Sequence, residues 1–583
     1  MTFSAGCYQF GAFTNEAPTY SEDCLYLNVW APVNATNTSL LPVKVWIYGG
    51  SGDTGSNADP LSNGCAIATN AILVSMNYRF GPLGWLTLGS PTNFTGNYGV
   101  LDILLALKWI QENIVSFGGN NKTVLLFGES TGGFLAHIIS TLPQANTLFS
   151  SVISESGSGR YLTTTEQQIT NVDQINQATI INASIYFYLP TNFYAHVDGN
   201  IIPVQPIYTS PKVPFMAGTC TMEGTFFAWS SFSNPLGVTS NDYNTYLSTV
   251  FGANLVSNIS SVYPISMFNS TSVPALYAIA AVITDAEYAC PTRRALKTSL
   301  TTNLGTYTYL WNHTPSCPWI SSIKVAALSA LGPTHTSELA FVFGEISDLP
   351  QLSGICTLSA NEQILSVEMI TAWQSMSKNG YPTLVNGTKW IDWSNGKQGV
   401  RFDQNLTFNI INMTQCDFWD SIQTFMTTTT PVSGVKSYHG IIISGFHLTF
   451  AITYIGQCPV EPMVITYMIV HASIHLLLIL LALIGVMNIR RNFPHGIEVN
   501  KSMETIILVI TFISTFIVLL FSFAWLIADS VWVYGVKVNN VQGDYPSITK
   551  TYCRSDLYKP AFILLTINYI DLLQNKPTNL CDA

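Results

Sequence analysis

Ser130, Glu223 and His335 follow one another along this chain, and they are the residue types that together carry out nucleophilic acyl transfer. The serine lies in Gly128-Glu-Ser-Thr-Gly-Gly133, directly after the apolar run Lys122–Phe127 and before a helical stretch. A sharp strand-to-helix turn at that point lifts a hydroxyl above a sheet. The flanking glycines are required because side chains there would collide with neighbouring backbone, and the helix N-terminus adds a favourable dipole. A bare G-x-S-x-G is common, but one at a strand-to-helix junction is much rarer. A serine hydroxyl is a poor nucleophile until a histidine takes its proton, and that histidine needs a carboxylate to fix its tautomer and stabilise its charged form. Glu223, in Gly218-Thr-Cys-Thr-Met-Glu-Gly224, and His335, in Gly332-Pro-Thr-His-Thr-Ser-Glu-Leu-Ala-Phe-Val-Phe-Gly344, are both expected on loops, in the chain order Ser, acid, His. The tetrahedral intermediate also needs N–H donors for its negative oxygen. The glycine-rich turn Gly49-Gly-Ser-Gly52, after Val45–Tyr48, is the candidate, although such a turn alone is most often just a loop.

The elements that must position these residues are legible from periodicity. Up to about Thr430, short β-branched runs alternate with helical stretches and are separated by Gly, Pro and Asn, which predicts an α/β fold with a largely parallel or mixed sheet. Strands are expected at Val43–Tyr48, Ala71–Asn77, Lys122–Phe127, Ser151–Ser154, Val213–Gly218 and Thr306–Trp311. In such sheets ligand chemistry gathers at strand ends.

Composition narrows the setting. Charged residues are only 10% of the chain, against roughly 25% in ordinary soluble proteins, and 48% of residues are hydrophobic, so part of the chain is expected in lipid. A net charge of −10 offers no basic patch to neutralise phosphates and argues against a nucleic-acid partner. Eleven Asn-x-Ser/Thr sites (Asn34, Asn37, Asn93, Asn121, Asn182, Asn258, Asn269, Asn312, Asn386, Asn405 and Asn412) support export, though chance would produce about half of them. Met1–Glu16 has neither a basic start nor an apolar run of signal-peptide type.

Six ordered blocks resemble the type-B carboxylesterase and cholinesterase family from Cys7 to about Trp419. They are Ser21-Glu-Asp-Cys-Leu-Tyr-Leu-Asn28, Trp46-Ile-Tyr-Gly-Gly50, Asn77-Tyr-Arg-Phe-Gly-Pro-Leu-Gly84, Gly96-Asn-Tyr-Gly99 with Phe117-Gly-Gly119, Gly128-Glu-Ser-Thr-Gly-Gly133, and Cys416-Asp-Phe-Trp419. The resemblance implies an α/β-hydrolase fold over residues 1–430 with a mostly parallel central sheet. It implies Ser130 as nucleophile, Glu223 as acid, His335 as base, and an oxyanion hole made by the N–H groups of Gly50, Ser51 and Thr131. It also implies bridges Cys7–Cys24 and Cys290–Cys416; Cys317 with Cys356 is a further candidate pair. Thr131 stands where the family has alanine and Ser51 where it has a third glycine; both keep their N–H but crowd the acyl site. The segment between Ser156 and Glu223 is shorter than the family's, and its N-terminal strands, which would precede Cys7, are missing, so a truncated start is expected. No tryptophan lies between Cys7 and Cys24 to hold a quaternary ammonium; Phe10, Phe13 and Tyr20 offer weaker faces. Glu129 matches the family and either tunes the site or is a buried structural carboxylate.

Beyond a linker at 431–439, the segment 440–583 is read as an α-helical transmembrane region. The uncharged runs Met463–Met487 and Thr505–Ala528 each exceed the roughly 20 residues needed to cross a bilayer. Cys458-Pro-Val-Glu-Pro462 and Val531-Trp-Val-Tyr-Gly535 resemble small animal membrane proteins of four predicted spans and no settled role. Arg490, Arg491 and Lys501 between the two runs place that loop in the cytosol, which puts the preceding domain on the extracellular or lumenal side and lets Cys458 pair with Cys553. His471 and His475 share a helix face, but with no third ligand they read as polar packing, and no metal site is expected.

The expectation is therefore a membrane-tethered hydrolase of small-molecule carboxylic esters that works through an acyl-enzyme, with no metal or organic cofactor and with the lipid bilayer as its other partner. The alternatives are a catalytically silent, neuroligin-like adhesion or receptor ectodomain, against which the intact triad counts, and the joining of two neighbouring genes. Nothing in the sequence specifies an oligomeric state.

Overall fold

The computed structural model describes residues 3–428 apart from 10–16, 18, 89–94, 169–193, 233, 321–322, 345–355, 404–405, 412 and 414. The linker, both expected membrane runs, Cys458, Cys553, His471 and His475 lie outside the described residues, as do Phe10 and Phe13. No helix among the described residues is long and apolar enough to cross a membrane.

All six expected strands form, within a few residues of their expected bounds. In chain order the strands are β1 (Gly6–Cys7), β2 (Tyr20–Ser21), β3 (Leu27–Trp30), β4 (Leu41–Ile47), β5 (Ile72–Met76), β6 (Gly119–Glu129), β7 (Ser151–Glu155), β8 (Phe215–Cys220), β9 (Thr306–Trp311), β10 (Gln398–Phe402) and β11 (Thr407–Ile410). Nine of these described strands make one sheet, ordered β11-β10-β9-β8-β7-β6-β4-β5-β3. The pairs from β10 through β9, β8, β7, β6 and β4 to β5 are parallel, while β3 against β5 and β11 against β10 are antiparallel. The antiparallel edge strands escape sequence reading because an edge needs no continuous apolar run: β11 is largely exposed. The central strands read as solid apolar blocks because both faces are covered; Val124–Phe127 in β6 is fully buried.

The helix Thr131–Thr141 is buried along its whole length against one part of this sheet. The helix Ala360–Asn379 is tied to the sheet by Ser377 Oγ donating to Val43 O at 2.9 Å and by Ser151 Oγ donating to the helix carbonyl of Met376 at 2.9 Å. A second apolar core gathers the helices Ser240–Phe251 and Pro274–Ile283, Tyr288 and Trp419. The bridge Cys290–Cys416 fastens this layer, and Cys7–Cys24 and Cys317–Cys356 are the other described bridges, so all three pairings expected in this part of the chain are present.

Candidate active site

The turn that presents Ser130 is built by backbone contact. Ser130 has φ 55°, a left-handed conformation for a residue with a side chain, and such strain persists only where the surroundings over-determine it. Here Ser130 N–H donates to Glu155 O at 2.9 Å, and the Ser130 carbonyl accepts from Phe134 N–H at 2.9 Å. A Cβ on Gly132 would come within 1.9 Å of the Ile47 carbonyl, so the end of β4 rests directly on the start of the elbow helix. The hydroxyl-bearing residue is half-buried, whereas its neighbours Glu129 and Thr131 are buried.

The glycine-rich turn after β4 lies against this elbow: a Cβ on Gly49 would sit 2.9 Å from Ser130 Cβ. The turn is held by its carbonyls. Gly50 O accepts from Asp53 N–H at 3.1 Å and Thr54 N–H at 3.0 Å, and Gly52 O accepts from Gly81 N–H at 2.7 Å and the Trp85 indole at 3.1 Å. Among the described residues no protein acceptor takes the N–H groups of Gly50, Ser51 or Thr131, the last being the first residue of its helix. Three backbone donors beside a hydroxyl are the arrangement an oxyanion requires. Asp53, in the same turn, is raised by burial to about 7.

Glu223 was expected on a loop; it is instead the first residue of the helix Glu223–Ser230, immediately after β8. This places the carboxylate at a helix N-terminus, where the dipole favours negative charge. It accepts from Cys220 N–H at 2.7 Å, from Ser156 Oγ at 2.5 Å and from His335 Nδ1 at 2.7 Å. His335 lies in a turn between Gly332 and Thr336, both at positive φ. Thr336 Oγ1 accepts from Trp319 and Ser337 Oγ from Trp311, which pins the turn. The His335 ring also packs on Phe227 and Tyr288, with centroids 4.9 and 4.8 Å away.

The structure thus joins Glu223 to His335, but among the described residues no hydrogen bond links Ser130 Oγ to the imidazole. Nε2 instead faces Glu129 Oε1 at 3.2 Å, on the residue preceding Ser130. Catalytic hydrogen bonds commonly tighten only once substrate is bound. Burial, together with the neighbouring carboxylates of Glu338, Glu223 and Glu155, pushes Glu129 well above the ordinary carboxylate range, while Arg160 pulls the other way. Burial thus disfavours a charged carboxylate at Glu129 beside the His335 ring.

Sequence reading missed the rest of this acidic layer. Glu155 and Glu338 are fully buried, and burial raises both, with Glu338 adding to the shift at Glu155 and Glu223 to that at Glu338. Glu155 Oε1 accepts from the Trp373 indole at 2.7 Å, and Glu338 Oε2 accepts from the Cys220 thiol at 3.0 Å. The thiol itself is raised well above its usual value by burial and by the neighbouring Glu338 and Glu223. A signal existed: Glu338 stands one turn after His335 at the head of the apolar run Leu339–Phe343, where a charged residue must be buried. Tyr288 and Arg160 carry no such signal. Of the aromatic faces expected near the first bridge, Tyr20 is half-buried in β2. No cluster of metal-ligating side chains occurs among the described residues.

The model of the carboxylesterase family matches residues 1–186 and 170–419. The chain is similar to a cholinesterase of Mus musculus, 29% identical over 462 residues, covering 71% of this chain and 74% of the relative. It is similar to a para-nitrobenzyl esterase of Bacillus subtilis, 29% identical over 416 residues and covering 65% and 78% of the two chains. A fumonisin B1 esterase of Sphingopyxis macrogoltabida is 28% identical over 403 residues, covering 64% of this chain and 71% of the relative.

Proposed function

Because this chain belongs to the carboxylesterase family and is a carboxylic-ester hydrolase, we propose that it cleaves small-molecule esters through an acyl-enzyme formed on Ser130. His335 takes the Ser130 proton as Oγ attacks the ester carbonyl, and the N–H groups of Gly50, Ser51 and Thr131 receive the developing oxyanion. The imidazolium then protonates the departing alcohol, and water activated by the same imidazole releases the acid. The observation that carries this reading is the 2.7 Å bond between His335 Nδ1 and Glu223, which fixes the tautomer that leaves Nε2 facing the elbow.

Labelling with a fluorophosphonate tests it. The wild type is expected to label at Ser130, and both Ser130→Ala and His335→Ala are expected to lose the label. A folded wild type that does not label would instead support the silent-ectodomain reading.

We also propose that this esterase is membrane-tethered through 440–583 and faces the extracellular or lumenal side. The supporting observations are the two long uncharged runs, the basic loop between them, and three described disulfides, which belong to an oxidising compartment. Protease protection of the 430–440 junction in sealed microsomes, with digestion only after detergent, is the expected result.

A further inference from the structure

One cation is placed against the candidate site without a hydrogen-bonded acid to neutralise it. The segment that leaves β7 runs tightly past the elbow: a Cβ on Gly157 would come within 2.3 Å of the Ser130 carbonyl, and one on Gly159 within 1.7 Å of the Pro291 carbonyl. Ser156 in this segment bonds to Glu223, and Arg160 ends it. The Arg160 guanidinium lies over the Tyr288 ring, 5.0 Å from its centroid, and that ring packs tilted on His335. On its other side Arg160 is near Tyr194, which packs on Phe134 of the elbow helix and lies against Gly52 of the oxyanion turn. Arg160 is therefore bracketed by the residues that flank the base and those that flank the oxyanion donors.

Tyr288, Glu287 and Tyr194 favour its charge, but no carboxylate among the described residues bonds it directly. The nearest carboxylate oxygen, on Glu287, is 4.0 Å away, beyond hydrogen-bond length, and Glu287 also feels Arg294. Arg160 Nε is buried with no partner, while 23% of the side chain remains exposed. Leaving a guanidinium donor unpaired is unfavourable. A planar fork of donors stacked on an aromatic face is pre-organised for a carboxylate.

We propose that Arg160 is a specificity-determining residue that recognises an anionic group on the ester, so that the preferred substrates are esters bearing a second, free carboxylate. This rests on the acyl-enzyme reading of Ser130. The carboxylate belongs either to the acid part of the ester, as in a half-ester of a dicarboxylic acid, or to the alcohol part, and paired substrates separate the two. 4-Nitrophenyl hemiglutarate is compared with 4-nitrophenyl butyrate, and 4-acetoxybenzoate with phenyl acetate, using the full chain as wild type, Arg160→Gln and Arg160→Lys.

In at least one pair, Arg160→Gln is expected to lower kcat/KM for the anionic ester at least tenfold relative to its neutral twin. The change should lie mainly in KM, Arg160→Lys should restore part of it, and the wild-type preference should shrink between 0.05 and 0.5 M salt. Equal loss on both members of each pair would mean that Arg160 only supports the fold, and an anionic-to-neutral ratio unmoved by the substitution and by salt would overturn the inference. If Arg160→Gln does not fold, the lysine variant and the wild-type salt dependence decide. Failure of the underlying reading is distinguishable: neither member of either pair is then turned over, and Ser130 takes no label.

Discussion

Two buried groups of ionisable residues in this protein are handled in opposite ways. Around the candidate site, Glu129, Glu155, Glu223 and Glu338 share a fully buried layer and receive donors from Ser156, Cys220, Trp373 and His335. In the central sheet and the elbow helix, Lys44 and His137 are buried singly. Lys44 Nζ makes one bond, to Ile67 O at 2.9 Å, and His137 Nε2 makes none. Burial alone lowers Lys44 to about 7 and His137 to about 4. The same loss of water raises acids and lowers bases, so both groups are driven toward neutrality. The acids differ in their partners: Glu223 accepts from Ser156, Cys220 and His335, while Lys44 has only the Ile67 carbonyl.

The largest effects should separate the acids from one another. Replacing Glu223 by Gln removes the charge that holds the imidazolium and reverses the hydrogen bond at Nδ1; kcat/KM is expected to fall by about 10³–10⁴. Replacing Glu338 by Gln substitutes a neutral group for one that burial already keeps largely protonated, and the loss is expected to stay within about tenfold. Steady-state kinetics on both variants checks this. Equal losses would mean that the buried layer acts as one charged unit and would break the distinction drawn here.

This layer also marks where sequence reading stops. The elbow at Ser130, the glycine-rich turn after β4 and the Glu223–His335 pair were legible because each needs particular residue types at fixed places: glycines where a Cβ would strike the backbone, as at Gly132, and a histidine and an acid after given strands. The six central strands were legible because a parallel strand buried on both faces is a continuous apolar run. The edge strands β3 and β11, and the partly buried β10 beside β11, lack that run. Glu155, Cys220 and Tyr288 meet Ser130, Glu223 and His335 only through long-range packing of segments distant in sequence, which no local pattern encodes, and the same is true of Arg160 beside Tyr288.

Lys44 tests the other side of the comparison. Its folded value of about 7 lies below the model-peptide 10.5, so the unfolded chain binds the extra proton between those values and stability rises with pH across that window. The penalty is complete below pH 7 and gone above about 10.5. At about 1.4 kcal/mol per pKa unit, a displacement of this size costs on the order of 5 kcal/mol. Lys44→Met keeps the length of the stem and removes the ammonium. It is expected to raise the stability of the described domain by about 2–4 kcal/mol at pH 6, with the gain shrinking toward pH 10. Denaturant unfolding at the two pH values measures it, and a gain independent of pH would assign the effect to packing rather than charge.

The smallest expected effect concerns Asp53, an acid that lies in the glycine-rich turn after β4 rather than in the shared layer. Burial raises it to about 7, so it is neutral in mild acid and becomes an anion as pH rises through that value. An anion in the turn that carries Gly50 and Ser51 opposes the negative charge that develops on the substrate oxygen. Asp53→Asn is therefore expected to leave kcat/KM nearly unchanged at pH 6 and to raise it about threefold at pH 8.5, an effect of the size expected for partly screened charges. Stability should follow the same sign. A carboxyl whose folded value is raised loses its contribution as pH rises, so the asparagine variant gains on the wild type above pH 7 and not below about pH 4. A pH–rate profile in which the two proteins run parallel throughout would place the Asp53 charge out of reach of the oxyanion and leave Glu223 as the acid whose charge the reaction feels.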